Sequence, residues 1–152
     1  MKKIIFLLAL TAIIMSACNN QDKKSPDNKT AVADSLWKDV MEGHDVGMAK
    51  MSKLEKAQNE ATRLIDSIGR LPAHLQTASA EYKTRLDSLV KRLSYADLAM
   101  NKWMEEMNWE ARKMELEARI KYLEDEKLKV DKMKAAILNS LSEADSLLDR
   151  KF

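Results

Sequence analysis

The chain has 152 residues, room for one domain, with 33% charged residues, 5% aromatics, three Gly and two Pro. That scarcity of turn residues, beside frequent Ala, Leu, Glu, Lys, Arg and Met, points to helices and away from a mixed sheet. The formal net charge of +2 includes Lys2 and Lys3 of an N-terminal leader; the other 24 of the 26 Lys and Arg balance 24 Asp and Glu, leaving no basic footprint for nucleic acid.

Residues 1–17 read as a leader. Lys2 and Lys3 precede an apolar run from Ile4 to Met15, too short for a mature membrane span, and Ser16 and Ala17 then lead to the only cysteine, Cys18. With Met15 where Leu is usual, Met15-Ser16-Ala17-Cys18 stands in the place of a lipobox, and the segment resembles a bacterial lipoprotein signal peptide. The resemblance implies that Cys18 becomes the acylated first residue, because thioether formation with a diacylglycerol needs a sulfur nucleophile. The alternative is an ordinary signal peptide followed by a stray cysteine. One cysteine excludes a disulfide within the monomer.

Residues 18–30 carry the lipidated cysteine and a polar tether, Asn19 to Thr30, with little to bury. Fully extended, it reaches at most about 40 Å, enough to clear lipid headgroups. Asn19 rather than Asp follows the cysteine, and Asp22 stands alone rather than in an acidic run. Both features favour the periplasmic face of the outer membrane.

Residues 31–152 are expected to fold as an all-α, antiparallel three-helix bundle, with helices over about 31–68, 73–107 and 110–150. The first carries Trp37, Met41, His44, Met48, Met51, Leu54, Ala61, Leu64, Ile65 and Ile68 at helical spacing. Gly43 and Gly47, four residues apart, share a face that permits close approach of another element. Gly69 suits the end of this helix and Pro72 the first turn of the next.

The second helix holds the clearest pattern. Tyr82, Leu86, Leu89, Leu93, Ala96, Met100, Trp103 and Met107 follow in steps of four and three, the seam of a packed helix. The third places Leu116, Ile120, Leu123, Val130, Met133, Ile137, Leu141, Ala144 and Leu148 on one stripe. Met107 and Leu116 would lie on opposite faces of one straight helix, so a reversal near Asn108, a possible N-cap, brings both stripes to one core. The rival is a single helix of about 70 residues, about 105 Å long, whose exposed stripes would force a coiled-coil dimer acting as an envelope spacer.

Several segments resemble small Bacteroides-type lipoproteins labelled "viral A-type inclusion protein". Val40-Met41-x-x-His44-Asp45-x-x-Met48-x-x-Met51 is similar to that family's opening motif, with Val46 and Ala49 in place of Glu and Pro. Met100-x-x-Trp103-Met104 is similar to its second landmark. Tyr122-Leu123-Glu124 through Leu148, with Lys127, Val130, Ser142-x-Ala144 and Leu147-Leu148, is similar to its closing helix. The resemblance implies a lipid-anchored helical domain and no known activity.

No catalytic set emerges. His44-Asp45 are adjacent, and adjacent helical residues diverge by about 100°. His74 lies near a turn. Glu105-Glu106 and Glu124-Asp125-Glu126 read as mixed-charge helix faces, and Ser88, Ser94 and Ser140 as surface serines. Phosphate-cradling loops, zinc-ligand pairs and nucleophile elbows are missing from the sequence. Asp149-Arg150-Lys151-Phe152 departs from murein-linked lipoproteins that end in lysine.

Met41, His44, Met48 and Met51 form the one candidate metal set, soft ligands at i, i+3, i+7 and i+10, with Met100, Trp103, Met104 and Met107 on the facing helix. The competing reading is that these are packed seam positions. The expectation is therefore a non-enzymatic envelope protein without a cofactor, held to a membrane through Cys18 and offering a helix face to a protein partner. Soft-metal binding of the Cu(I) or Ag(I) class is the alternative.

Overall fold

The computed structural model describes residues 26–149. The leader, Cys18, most of the tether and residues 150–152 lie outside the described residues. Regular structure within them is helical: α1 (Pro26–Met48), α2 (Met51–Gly69), α3 (Ala73–Ala78), α4 (Ala80–Glu106), a 3-10 turn (Ala111–Lys113) and α5 (Leu116–Leu148). None of these helices is long and apolar enough to cross a membrane.

The helices form the all-α bundle expected, with an up-down-up course. Asp34 pairs with Arg119 and Lys53 with Asp145, so α1 and α2 run parallel to α5. Arg92 pairs with Glu143 and Trp103 with Glu126, so α4 runs against it. α1 packs on α5, and α2 packs on both α4 and α5.

The α4 seam forms as its spacing requires: Leu86, Leu89, Leu93, Ala96, Met100, Trp103 and Met107 are buried and Tyr82 is half-buried. The seam of α1 and α2 differs from expectation. The buried or half-buried line is Ala33, Leu36, Val40, Gly43, Gly47, Met51, Leu54, Gln58, Ala61, Ile65 and Ile68, again in threes and fours. Trp37, Met41, His44 and Met48 each sit one residue off it. Close packing explains the shift, because a Cβ on Gly43 would lie 3.0 Å from Val130 Cγ1 and one on Gly47 2.6 Å from Met100 Cε. Small residues let α1 approach, and the larger ones flank the contact.

The first long helix is also interrupted, at Ala49–Lys50. Two glycines weaken the ladder just before this point, at about 1 kcal/mol each. The Lys50 amide turns to Gly47 O at 2.9 Å, and α2 restarts with Leu54 N on Lys50 O at 2.9 Å. The seam keeps its phase across the interruption.

Other boundaries shift by a few residues. α1 starts at Pro26 rather than about 31, so the last tether residues are helical; Pro26 suits a first turn, and Lys29 is tied to Glu117 on α5. α2 ends at Gly69 and Pro72 heads α3, as expected, while Gln76 Nε2 donates to Gly69 O at 3.1 Å and Leu71 O at 2.7 Å. The chain does reverse after Glu106, which removes the single long helix. Asn108 is not the cap of the last helix, however. Its Oδ1 accepts Glu110 N at 3.0 Å and its carbonyl accepts Ala111 N at 3.0 Å, building the loop. Glu115 caps α5 instead, accepting the amides of Glu117 at 3.0 Å and Ala118 at 3.4 Å.

The buried line of α5 is Arg119, Leu123, Glu126, Val130, Met133, Ile137, Ser140, Ala144 and Leu147, with Leu141 buried beside it. Three polar residues occupy seam positions. Ser140 is buried rather than on the surface and bonds Ile137 O at 3.0 Å. Glu126 likewise leaves the mixed-charge face assigned to it and turns inward. Both corrections have one cause: each side chain finds a partner inside.

Candidate functional site

Three elements converge near the reversal loop. α1 brings His44, α4 brings Trp103 and the loop brings Trp109. The centroid of the His44 ring lies 5.4 Å from that of Trp103, tilted by 34°, and 6.1 Å from that of Trp109, nearly edge-on at 81°. The two indoles meet at 6.0 Å and 79°. Edge-to-face contacts at this range add to simple burial.

Each ring is held by a different device. Trp103 Nε1 donates to Glu126 Oε2 at 2.9 Å inside the α4–α5 interface. Trp109 Nε1 donates to Met104 O at 3.2 Å, which pins the loop to the end of α4. The loop is fixed again where Asn108 N donates to Tyr122 Oη at 2.7 Å and the Tyr122 hydroxyl donates to Met107 Sδ at 3.3 Å. Burial pushes the Tyr122 phenol above its usual range, opposed by the Asn108 amide.

The sequence expectation that His44 and Asp45 do not meet is overturned. Their Cβ directions diverge, yet both side chains swing along the helix surface until Nδ1 lies 2.9 Å from Asp45 Oδ1. The other nitrogen, Nε2, is buried with no hydrogen-bond partner.

Of the predicted metal set, Met41, His44 and Met48 share one flank of α1, one residue off the seam, while Met51 lies on the seam itself. Met41 flanks a surface cleft with Trp37, Asp45, Val46 and Arg112. Met48 is 40% exposed at the end of α1. Met51 lies past the interruption, beside Gln58 and Asp97. His44 meets Trp103 of α4, the partner element the sequence suggested, and Met51 lies near Asp97 of the same helix. Among the described residues no group of three His, Asp or Glu side chains is placed to hold a metal ion.

Charge is organised around this pole of the bundle. Arg119 is buried at a seam position and its Nη2 donates to Asp34 Oδ1 at 2.6 Å, while Arg112 lies 5.2 Å above the Trp37 ring. Lys129 bonds the second oxygen of Glu126 at 2.7 Å, which raises the lysine's pKa. Bonds from Lys134 and then Lys127 hold Asp131 below the usual carboxylate range.

A groove of about 390 Å³ runs between α4 and α5 next to the aromatic site. Tyr95 and Leu98 form its apolar lip, 65% and 63% exposed, and Lys102, Lys129 and Lys132 rim it. Trp109, Glu126 and Arg119 had no place among the sequence candidates. The last two were legible only by counting the seam through charged residues, and nothing in the periodicity marks a loop tryptophan.

Compared with family models, curated proteins and solved structures, the chain matches none.

Proposed function

We propose that this chain is a non-enzymatic, lipid-anchored envelope protein of the Bacteroides-type lipoprotein group, with the bundle serving as a protein-binding module. Sequence supports the anchor: a basic start, an apolar run and small residues before the sole cysteine, Cys18. Asn19 rather than Asp after Cys18, and Asp22 standing alone, favour the periplasmic face of the outer membrane.

One structural observation carries the binding role, the groove between α4 and α5. Monomer surfaces carry single exposed apolar residues routinely, but Tyr95 and Leu98 stand together beside a shaped, largely apolar trough. The spacer reading has lost its main support, because α4 and α5 are separated by a nine-residue reversal, residues 107–115, rather than joined.

Two experiments test the proposal on the full chain in its own cells. Radiolabelled palmitate incorporation is expected in the wild type and lost in Cys18→Ser; labelling that survives the substitution overturns the anchor. A photo-crosslinking amino acid at Leu98 is expected to trap a discrete species that the same probe at exposed Asn59 does not. Equal products from both positions overturn the groove as the binding face.

A further inference from the structure

We propose that the His44, Trp103 and Trp109 rings form a binding site for a soft monovalent cation of the Cu(I) or Ag(I) class, with His44 Nε2 as its nitrogen ligand. This inference is independent of the protein-binding groove and uses a different constellation from the methionine face read from sequence.

The chemistry begins at Asp45. A carboxylate only accepts hydrogen bonds, so the 2.9 Å contact places the proton of the neutral imidazole on Nδ1. Nε2 is left with a bare lone pair. That lone pair is buried and meets no donor from any element of the bundle. Buried polar atoms nearly always find a partner, and a histidine oriented by a carboxylate through its far nitrogen is the arrangement that metal-binding imidazoles use.

The rings decide which cation fits. Two indole centroids lie 5.4 and 6.1 Å from that of the imidazole, so an ion held on Nε2 would have indole rings as neighbours, and indole is the strongest aromatic side chain for attracting a cation. One imidazole nitrogen beside aromatic faces suits a soft, low-charge ion that takes few ligands. Calcium and magnesium want several oxygens, and structural zinc four ligands from Cys, His or carboxylate, a set the described residues do not bring together.

Access runs through Trp109. It is 48% exposed, sits on the loop rather than a helix, and its indole N–H is held by one bond to Met104 O at 3.2 Å. Rotation of this side chain opens the box without unpacking the seam.

The test is an Ag(I) titration of the full chain in detergent, with Cys18→Ser in every sample to remove the competing thiol, in chloride-free buffer at neutral pH, followed by tryptophan fluorescence and by equilibrium dialysis for stoichiometry. The expected result is saturable quenching at one ion per chain. Asp45→Asn, a surface substitution that leaves the fold intact, is expected to weaken binding about 10–100-fold. His44→Gln is expected to abolish it, with circular dichroism reporting that the helices remain. Met48→Leu and Met51→Leu are expected to bind as wild type. Absence of saturable quenching in the wild type overturns the site. So does wild-type affinity in His44→Gln or Asp45→Asn, and so does a loss confined to the Met48 and Met51 variants.

Discussion

Trp103 and Glu126 face each other across the α4–α5 interface, the indole N–H donating to Oε2 at 2.9 Å with both side chains at least 95% buried. Lys129 reaches the other oxygen at 2.7 Å from solvent. An interior carboxylate survives because two donors replace the water it loses.

Removing one donor should expose that dependence. Trp103→Phe keeps most of the ring volume but leaves Oε2 unmatched, and is expected to lower unfolding free energy by about 2 kcal/mol. Adding Glu126→Leu removes the stranded charge and should return much of the loss, as replacing buried polar pairs by apolar groups often does. Urea denaturation of both variants measures it. A double variant no more stable than the single would mean that ring shape, not the carboxylate, sets the cost.

The two interhelical glycines should behave differently when given a methyl group. At Gly43 the new Cβ meets both γ-carbons of Val130, at 3.0 and 3.3 Å, and valine cannot yield without leaving its rotamer. Gly43→Ala is expected to cost about 1–2 kcal/mol. At Gly47 the tightest neighbour is the terminal methyl of Met100, which can turn aside, and the gain of up to about 1 kcal/mol in helix propensity offsets the rest. Gly47→Ala should therefore stay within about 0.5 kcal/mol of wild type. Thermal melts separate the two.

Asp131 gives a pH signature. Its folded pKa is depressed by Lys134 and Lys127, whose ammonium groups lie 2.8 and 3.0 Å away. The unfolded chain then binds a proton more readily, so the contribution is present above the ordinary aspartate value of about 3.9 and is lost as pH falls through the lower, folded pKa. The carboxylate is 41% exposed, so solvent screening limits the effect to a few tenths of a kcal/mol. Asp131→Asn should flatten the Tm profile between about pH 4 and 2 relative to wild type. An unchanged slope would remove Asp131 from the acid response.

Glu115 should matter more than its exposure suggests. It satisfies two amides at the start of α5, and Glu115→Ala is expected to cost about 1 kcal/mol. Amide exchange of Glu117 and Ala118 should quicken while the centre of α5 is unaffected.

The bundle was legible because α4 carries a nearly pure apolar seam, and because Met107 and Leu116 could not share a face. α1 was harder. Its packing line runs through Ala33, Gly43 and Gly47, residues whose value lies in their smallness, while the conspicuous Trp37, Met41 and Met48 flank the contact. α5 hid Arg119 and Glu126 in seam positions that a hydrophobic count skips. Of the proposed metal residues, His44 was placed near the right helix, but its aromatic neighbour Trp109 arrives from a loop whose course depends on Asn108 and Tyr122. The meeting of His44 with Asp45 depended on rotamers, which spacing along a helix does not specify.

Because α1 and α5 run in the same direction, the described chain enters the bundle at one pole and leaves it at the other, separated by the length of α5, about 50 Å. A load applied between its two ends would act along the helix axes. The interfaces would be sheared along their length instead of peeled apart residue by residue. A bundle with an even number of helices brings its ends together and opens like a zip. Fusing head to tail is equally affected: a circular permutant of the described residues would need a linker of at least about 14 residues to cross that distance.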